Sequence, residues 1–354
     1  MYPALSIADA IGAIVPGVEI SFAGREEGLE DAVVKARGYA FYPVQAGQIR
    51  GKGVGVVQSG VKILAGLGKS IGLLQEVTPD IVVGVGGYVS FPVGMASALL
   101  KKRLVLHEQN SIPGSANRFL ARFAEKVFTG FKRTGEYFSE GKILYTGNPL
   151  RYDLVKRGIS AKKEGESPYG IFILGGSAGA ARLNDFALSL ASIIRKENLP
   201  FRIFHQTGKA HFTKMKEKYE GMDDLVECFP FSDEIWRYYE RARFAVARAG
   251  AVTISELSCF GIPSVLVPYP HAADNHQEEN AREFEKAGCG IYLREEKLDP
   301  REVIGFFQEL LEKEDRYEYY RKNSKNFSRP FAADEIARFC VDLVQGVKNV
   351  QERY

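Results

Sequence analysis

Short apolar runs alternate with helical patterns along the whole chain, and this alternation constrains the fold more than any other feature of the sequence. Several runs are continuous Val/Ile/Leu stretches, which are typical of parallel strands covered by helices on both faces. The predicted strands are residues 81–83, 103–107, 126–129, 143–145, 170–174, 201–206, 244–247 and 264–268. The sequence therefore predicts an α/β protein built from parallel, Rossmann-like sheets.

The length of the chain favours two domains. At 354 residues it exceeds the usual size of one domain, and residues 162–168 form a polar stretch with Gly and Pro, as expected of a linker. We expect a first domain over residues 1–160, a second over 161–326, and a C-terminal helical segment over 327–354.

Composition excludes several functional classes. A net charge of +3 is too small to indicate nucleic-acid binding, and four widely spaced cysteines without a CxxC pair favour reduced thiols in a cytosolic protein. No signal peptide is recognisable. Residues 81–100 are uncharged and long enough to cross a bilayer, but their glycines and Pro92 favour a strand, a loop and a helix instead.

The sharpest local feature is the glycine-rich turn Gly175-Gly176-Ser177-Ala178-Gly179, which follows an apolar strand and precedes a helical pattern. Glycines allow close backbone approach, and the N–H groups at a helix start attract anions. Ser177 could add a hydroxyl donor. The turn therefore predicts an anion site, with an ordinary strand-to-helix turn as the alternative.

A second cluster of small and polar residues lies at 249–257. Here we expect Thr253 or Ser255 to cap a helix and Glu256 to lie in its first turn, at the carboxyl edge of the sheet. A carboxylate there can accept two hydrogen bonds from a ribose diol. The alternative is a glutamate that only interacts with the helix dipole.

Three further segments place polar residues after strands. Residues 268–281 carry His271, Asp274 and His276, whose spacing does not put all three on one helical face, so we expect no metal site. Residues 107–110 read His-Glu-Gln-Asn, and Arg151 ends a Thr-Gly-Asn-Pro-Leu-Arg stretch. Arg151 suits a phosphate or carboxylate partner, although a structural histidine and a surface arginine are the alternatives.

Taken in order, these motifs resemble the MurG family of bacterial glycosyltransferases over nearly the whole chain. The matching stretches are Gly-Gly-Tyr-Val-Ser at 86–90, His-Glu-Gln-Asn at 107–110, Gly-Asn-Pro-x-Arg at 147–151, Gly-Gly-Ser-x-Gly-Ala at 175–180, His-Gln-Thr-Gly-Lys at 205–209, Ala-Gly-Ala-x-Thr-x-Ser-Glu at 249–256 and Pro-His-Ala-Ala-Asp-x-His-Gln-x-x-Asn-Ala at 270–281.

The resemblance implies a GT-B fold, with two Rossmann-like domains, a cleft between them and a C-terminal helix that returns to the first domain. It implies inverting transfer of GlcNAc from UDP-GlcNAc to undecaprenyl-pyrophosphoryl-MurNAc-pentapeptide, without a metal or other cofactor. By resemblance, Glu256 binds the uridine ribose, and Ser177 with the glycine turn holds the diphosphate. Arg151 neutralises the departing UDP, and Gln277 and Asn110 contact the donor sugar or its phosphates.

The N-terminus departs from the family pattern. Residues from Tyr2 onward predict a helix and residues 18–22 a strand, whereas family members carry a strand and a Gly-Gly-Thr-Gly-Gly-His loop directly before the stretch matching Tyr2. We expect that strand, that loop and the histidine usually proposed as general base to precede Met1, through a misplaced gene start rather than a true truncation. No catalytic residue is therefore assigned within the chain.

Two other functional classes remain open from the sequence: a different GT-B enzyme, such as a glycolipid synthase or a UDP-GlcNAc epimerase, and a non-catalytic module that binds UDP-GlcNAc or the lipid. Because the implied acceptor is a polyprenyl lipid, we expect peripheral binding to anionic lipid at the cytoplasmic face of the membrane. Residues 61–74 supply apolar surface, and Arg118, Arg122 and Lys126 would align as a basic rim if their helix extends that far. The alternative is a core helix with solvated lysines.

Overall fold

The structure, a computed structural model, describes residues 1–25, 29–44, 54–161, 167–176 and 179–346. Backbone contacts divide the chain into two compact units, Met1–Arg151 with Phe331–Tyr354, and Tyr152–Pro330.

The strands of the described residues are β1 (Ser21–Gly24), β2 (Ala40–Pro43), β3 (Ile81–Gly84), β4 (Arg103–Glu108), β5 (Lys126–Thr129), β6 (Ile143–Tyr145), β7 (Tyr169–Leu174), β8 (Phe201–Gln206), β9 (Val226–Phe229), β10 (Ala242–Ala247), β11 (Ser264–Leu266) and β12 (Gly290–Tyr292). The α-helices are α1 (Tyr2–Ile14), α2 (Leu29–Ala36), α3 (Val54–Val77), α4 (Ser90–Leu99), α5 (Ser115–Leu120), α6 (Tyr152–Ser160), α7 (Ala181–Lys196), α8 (Phe212–Lys218), α9 (Trp236–Arg241), α10 (Ala251–Phe260), α11 (His276–Lys286), α12 (Pro300–Glu312), α13 (Glu314–Phe327) and α14 (Ala332–Val344).

The first unit contains a four-stranded parallel sheet in the order β3-β4-β5-β6, and a separate parallel pair, β1 and β2. In register, Ile81 faces Arg103 and Val105 faces Lys126. The central strands β4 and β5 are almost wholly buried, as expected where helices cover both faces of a parallel sheet.

The C-terminal helix α14 packs within this first unit, against α1 and the sheet. Ile7 of α1, Phe128 of β5 and Phe339 of α14 belong to one buried cluster. The rings of Phe128 and Phe339 meet edge-on with centroids 5.3 Å apart, a favoured aromatic geometry. The apolar stripe of α14 therefore completes the core on one side of the sheet.

The second unit is a six-stranded parallel sheet in the order β12-β11-β10-β7-β8-β9. The first strand in sequence, β7, lies between β8 and β10, so the strand order runs outward in both directions from it. In open parallel sheets, ligands bind at the carboxyl edge where the order reverses in this way. The fold therefore locates a candidate site at the loops that follow β7 and β10.

Helix α6 belongs to the second unit, although the predicted first domain extends to residue 160. Contacts of α6 with other helices of the second unit explain this difference. The Arg157 guanidinium lies 3.3 Å from the ring centroid of Trp236 and bonds the Glu240 carboxylate at 3.2 Å. In addition, the Lys325 ammonium donates to the carbonyl of Gly158. These contacts attach α6 to α9 and α13.

The predicted parallel α/β organisation is confirmed, and each of the eight strands predicted from apolar runs is present. Their ends differ by a few residues, since β10 starts earlier than predicted, at Ala242, and β11 ends earlier, at Leu266. Strands β2, β9 and β12 were not predicted because they are short and lack a continuous aliphatic run. Residues 81–100 do form a strand, a loop and a helix. Among the helices that the structure describes, none combines the length and apolar character needed to span a bilayer.

The packing of α14 can be tested by replacing Phe339 with Ala. Because Phe339 is fully buried, we expect the free energy of unfolding to fall by about 3–5 kcal/mol, measured by urea denaturation. Phe331 precedes the same helix but is 56% exposed, so Phe331→Ala should change it by less than about 0.5 kcal/mol. Equal losses in the two variants would contradict the assignment of Phe339 to the core.

Candidate functional site

The glycine turn after β7 contains two glycines with positive φ angles. Gly176 and Gly179 adopt left-handed conformations, with φ of 84° and 79°, which L residues with side chains rarely adopt. The Gly179 amide donates to the Gly176 carbonyl at 3.0 Å, and α7 begins at Ala181, two residues further on. Ser177, predicted to contact the diphosphate, lies outside the described residues.

The turn rests directly on the loop that follows β8. A side chain at Gly179 would place its Cβ only 2.5 Å from the Thr207 carbonyl oxygen and 3.3 Å from Cα of Gly208. The contact with the carbonyl oxygen is too short for any side chain, so glycine at position 179 is required by packing as well as by its φ angle. The two loops therefore form one surface at the carboxyl edge of the sheet.

A buried hydrogen-bond chain fixes the loop after β8. The Tyr219 hydroxyl donates to His205 Nδ1 at 2.9 Å, and His205 Nε2 donates to Asn184 Oδ1 at 3.0 Å. The Asn184 amide nitrogen then donates to the Thr207 carbonyl at 3.3 Å. This chain assigns the proton to Nε2 of a neutral imidazole, and burial lowers the pKa of His205 to about 3.

Glu256 lies on α10, in the second helical turn rather than in the predicted first turn. The helix starts at Ala251 with Gly250 as the N-terminal cap, so Glu256 is its sixth residue and lies in the second turn. Thr253 and Ser255 are inside the helix rather than capping it, and the Ser255 hydroxyl donates to the Ala251 carbonyl at 3.0 Å. The cap prediction is wrong because Gly250 already has the extended conformation that ends the preceding loop.

The Glu256 carboxylate is half-buried and oriented by a neighbouring phenol. Oε2 accepts a hydrogen bond of 2.8 Å from the hydroxyl of Tyr239, a fully buried residue on α9. Tyr239 is itself fixed by stacking on Phe260, with ring centroids 5.2 Å apart. Tyr239 was not identified from the sequence, since nothing in residues 236–241 signals a contact with α10.

Gln277 is the second residue of α11. Its side-chain oxygen accepts from the Tyr269 amide at 2.9 Å, so the loop between β11 and α11 is closed on itself. Asn280, buried on the same helix, donates to the Ala249 carbonyl at 3.1 Å. This bond brings the beginning of α11 against the loop that precedes Glu256.

The histidines and acids of the loop at residues 268–281 are the next candidates from the sequence. His271 and Asp274 are exposed, and the described part of the chain contains no group of three His, Cys, Asp or Glu side chains arranged to hold an ion. The loop's distinctive feature is instead its backbone, because Asp274 and Asn275 are both left-handed, with φ of 50° and 57°.

In the first unit, the His-Glu-Gln-Asn motif forms a buried network at the end of β4. Glu108 is only 2% exposed, and its carboxylate accepts from the Asn110 amide at 3.0 Å, the Gly114 amide at 3.1 Å and Asn117 Nδ2 at 2.8 Å. The Asn110 carbonyl accepts from the Thr134 hydroxyl at 2.8 Å. Hydrogen bonds at its amide and at its carbonyl therefore fix the backbone of Asn110.

His107 and Gln109 continue this network across the edge of the sheet. Gln109 Nε2 donates to His107 Nδ1 at 2.9 Å and to the Val85 carbonyl at 3.0 Å. His107 Nε2 donates to the Gly147 carbonyl at 3.0 Å. Burial lowers the pKa of His107 to about 4, so this imidazole is a neutral structural link between β4 and the loop after β6.

Arg151, the last residue before the chain enters the second unit, lies with its guanidinium 5.6 Å from the ring centroid of Tyr2. The predicted site residues thus fall into two groups: Asn110 and Arg151 in the first unit, and Glu256 and Gln277 in the second. In each unit, hydrogen bonds between side chains and backbone groups fix loops of these motifs at the carboxyl edge of a parallel sheet.

Comparison with known protein families identifies the class of enzyme. The family model described as the glycosyltransferase family 28 N-terminal domain matches residues 1–129, and that described as the glycosyltransferase family 28 C-terminal domain matches residues 170–336. The parallel sheets and the loops at their carboxyl edges are those of a glycosyltransferase with the GT-B fold.

Comparison with individual proteins identifies the family within this class. A relative from an Azoarcus species, named UDP-N-acetylglucosamine–N-acetylmuramyl-(pentapeptide) pyrophosphoryl-undecaprenol N-acetylglucosamine transferase, is 35% identical over 353 residues, which cover 98% of this chain and 96% of the relative. The crystal structure of Acinetobacter baumannii MurG is 26% identical with a TM-score of 0.76, covering 98% of this chain and 96% of that one. The chain belongs to the MurG family of glycosyltransferases.

The same fold also supports other chemistry. A UDP-GlcNAc 2-epimerase from Neisseria meningitidis, solved bound to UDP-GlcNAc, matches with a TM-score of 0.64 at 13% identity, covering 98% of this chain and 96% of that one. At this identity the likeness concerns the fold alone, so activity has to be argued from the site and the family.

The two buried histidines predict a pH dependence of stability. The folded state keeps His107 and His205 neutral down to about pH 4 and 3, below the ordinary pKa of 6.5. As the pH falls, these histidines take up protons near pH 6.5 in the unfolded chain, before they do so in the folded chain. The two histidines should therefore contribute their full stabilisation above pH 7, and the free energy of unfolding should decline below 6.5. The expected slope is about 1.4 kcal/mol per pH unit for each histidine.

Urea denaturation between pH 7 and 4.5 measures this slope. His205→Gln should lower stability at pH 7 but make the decline shallower by one histidine's share, whereas replacement of the exposed His271 by Gln should leave the slope unchanged. An unaltered slope in the His205 variant would show that this imidazole is not held neutral.

Proposed function

We propose that this protein transfers GlcNAc from UDP-GlcNAc to the C4 hydroxyl of the muramoyl sugar of undecaprenyl-pyrophosphoryl-MurNAc-pentapeptide, converting lipid I to lipid II in peptidoglycan synthesis. The observation that carries the proposal is the pairing, in a MurG-family chain, of a left-handed glycine turn after β7 with an oriented carboxylate on α10. A nucleoside diphosphate needs both an anion site and a ribose acceptor.

The donor is bound through its nucleotide in this proposal. Glu256 accepts hydrogen bonds from the ribose hydroxyls, and Tyr239 keeps the carboxylate in position. Ser177, the glycine turn and the start of α7 hold the diphosphate, because backbone N–H groups and the positive helix end favour negative charge. Gln277 and Asn110 contact the donor sugar or its phosphates.

The transfer is a direct displacement with inversion. The acceptor C4 oxygen forms a bond to the anomeric carbon of GlcNAc, while the bond from that carbon to the UDP oxygen breaks and its electron pair leaves with UDP. Charge on the departing UDP is met by Arg151 and the N-terminal end of α7, which stabilise the transition state electrostatically. The acceptor proton passes to a general base, to which we assign no residue of the described chain.

Replacement of Glu256 tests the donor site. Glu256→Gln removes the charge but keeps the shape, so UDP affinity measured by calorimetry should fall by about 10- to 100-fold, the cost of one charge-assisted hydrogen bond. Tyr239→Phe should weaken binding less, since it removes only the orienting contact. Glu234→Gln, an exposed carboxylate in the same unit, is the control. Unchanged UDP affinity in the Glu256 variant would remove this residue from the site.

The reaction itself is tested by following UDP release and sugar products with and without a lipid-linked MurNAc-pentapeptide acceptor. Acceptor-dependent UDP release with formation of the disaccharide supports the transfer. Release of a 2-epimerised sugar without acceptor would indicate an epimerase. Binding of UDP-GlcNAc without turnover would indicate a binding module.

We further propose that the first unit binds anionic membrane surface through an aromatic patch of Phe91, Phe119 and Phe123. Their ring centroids are 5.6 and 6.0 Å apart along the series, and Phe119 and Phe123 are 38% and 47% exposed. Exposed aromatic rings together with cationic side chains favour attachment at a lipid interface.

The cations at this patch differ from those predicted. Arg122 lies over the Phe119 ring at 5.4 Å, and Arg118 lies over Tyr137. However, α5 ends at Leu120, so the predicted alignment of three basic residues on one helix is wrong. Lys126 belongs to β5 and is buried near Phe339, and burial lowers its pKa.

Residues 61–74, predicted to supply apolar surface to the membrane, lie within α3. Leu64 is 68% exposed, Leu74 is in the core, and the side chains of residues 61 and 62 fall outside the described residues. The experiment below addresses the aromatic patch and its two arginines.

Liposome sedimentation tests the patch. Binding should require anionic lipid and weaken with salt, and Phe119→Ser with Phe123→Ser should reduce it by about 30-fold or more, since each ring contributes on the order of 1 kcal/mol or more by burial. Tyr319→Ser, an exposed aromatic of the second unit, should bind like the wild type. Equal recovery of wild-type protein with and without anionic vesicles at low salt would contradict the proposal.

A further inference from the structure

The loop from residue 267 to residue 277, named here the donor loop, contains an unusual backbone turn. Asp274 and Asn275 are consecutive left-handed residues, with φ of 50° and 57°. Asp and Asn tolerate this region better than other residues with side chains, but each such position is unfavourable unless the surroundings impose it. The turn leads directly into α11 and Gln277.

Glu278 supplies the contacts that impose this turn. Its Oε2 accepts from Asn275 Nδ2 at 3.0 Å, and its Oε1 accepts from Arg282 at 2.9 Å. Arg294 adds a forked contact to the same Oε1, through Nε at 3.2 Å and Nη2 at 2.8 Å. The carboxylate thus joins the turn, its own helix and the segment after β12, and its side chain is only 12% exposed.

These hydrogen bonds, led by the one from Asn275, lower the pKa of Glu278 to about 2 from its ordinary 4.5. The group is therefore a fully ionised carboxylate in the physiological range. Hydrogen bonds to charged groups are stronger than neutral ones, which suits a contact that has to offset backbone strain.

The segment after β12 holds the donor loop at a second point. Glu295, the residue next to Arg294, pairs with Arg248, and Arg248 Nη1 donates to the carbonyls of Val267 and Pro268, each at 3.2 Å. Arg294 and Glu295 therefore connect to opposite ends of the donor loop, one through Glu278 and the other through Arg248.

This arrangement decides which end of the Gln277 amide is presented. The Tyr269 amide occupies the Gln277 oxygen, and the NH2 group of Gln277 has no hydrogen-bond partner among the residues that the structure describes. Gln277 is therefore set as a hydrogen-bond donor, suited to a sugar hydroxyl or an acetamido carbonyl oxygen rather than to an N–H group.

We propose that Glu278 is a positioning residue for recognition of the donor sugar: together with Arg294 it fixes the left-handed turn of the donor loop, so that the Gln277 NH2 group is presented to the sugar of UDP-GlcNAc. The inference rests on the proposed function, because it assumes that this loop meets the sugar. It predicts a selective effect, on the sugar and not on the nucleotide.

Glu278→Ala and Arg294→Gln test the proposal by calorimetry with two ligands. UDP-GlcNAc affinity should fall by about tenfold in Glu278→Ala, equivalent to losing one hydrogen bond, whereas UDP affinity should change less than about twofold. In turnover assays, KM for UDP-GlcNAc should rise more than kcat falls. Arg294→Gln, which alters a residue outside the loop, should cause the same selective loss to a smaller extent.

Glu309→Gln is the matched control, because Glu309 is also a helical carboxylate with two cationic partners, Lys313 and Arg316, but lies on α12. It should bind both ligands like the wild type. If Glu278→Ala loses UDP and UDP-GlcNAc equally, or loses neither, Glu278 has no specific role toward the sugar and the proposal is wrong.

Hydrogen–deuterium exchange without ligand separates this proposal from the proposed function. Peptides covering residues 269–279 should exchange about tenfold faster in Glu278→Ala than in the control, since a lost contact near 1.4 kcal/mol raises local opening by that factor. Should Glu278→Ala not fold, Glu278→Gln provides the same comparison. Unchanged exchange would overturn the positioning role and leave the proposed function standing, whereas wild-type protein that binds neither UDP nor UDP-GlcNAc would overturn the proposed function and, with it, the role of Glu278 toward the sugar.

Discussion

The order of strands in the second unit determines where the loops of its candidate site lie. Since β7 lies between β8 and β10, the loops after these strands leave the sheet at one edge and diverge to opposite faces. The glycine turn, the loop at Thr207 and the start of α10 are therefore neighbours by topology. The short approach of Gly179 to the Thr207 carbonyl then fixes how two of these loops pack.

The carboxyl edge of each of the two larger sheets contains a buried chain of hydrogen bonds, because loops carry backbone carbonyls that need partners. In the second unit, His205 and Asn184 connect Tyr219 to the Thr207 carbonyl. In the first unit, His107 and Gln109 connect the carbonyls of Gly147 and Val85. Both imidazoles are neutral, with the proton on Nε2, so each passes a hydrogen bond in one direction without placing a charge in the core.

Local sequence patterns were sufficient for the frame of the molecule and for the motif positions, but not for the side-chain partners. Runs rich in apolar residues located β4, β5, β7 and β8, because parallel strands covered on both faces leave a strong signal. Short strands such as β9 and β12 carry no such signal. The start of α10 was misplaced because Thr253 and Ser255 looked like caps, while Gly250 supplied the cap conformation through its backbone. Tyr239, Arg248 and Glu278 contact Glu256, Glu295 and Arg294, each on another element, and no spacing within the sequence encodes such contacts.

Two carboxylates of the second unit are proposed for different roles, and their contacts suit those roles. Glu278 accepts from two guanidinium groups and an amide, which join three segments of the chain and so suit a residue that fixes a turn. Glu256 accepts from the phenol of Tyr239, a contact that orients the carboxylate and adds no countercharge of its own. Under the proposed function Glu256 accepts hydrogen bonds from a ribose diol, and such bonds are stronger when the acceptor is ionised. The contact from Tyr239 is therefore compatible with the proposed ligand-binding role.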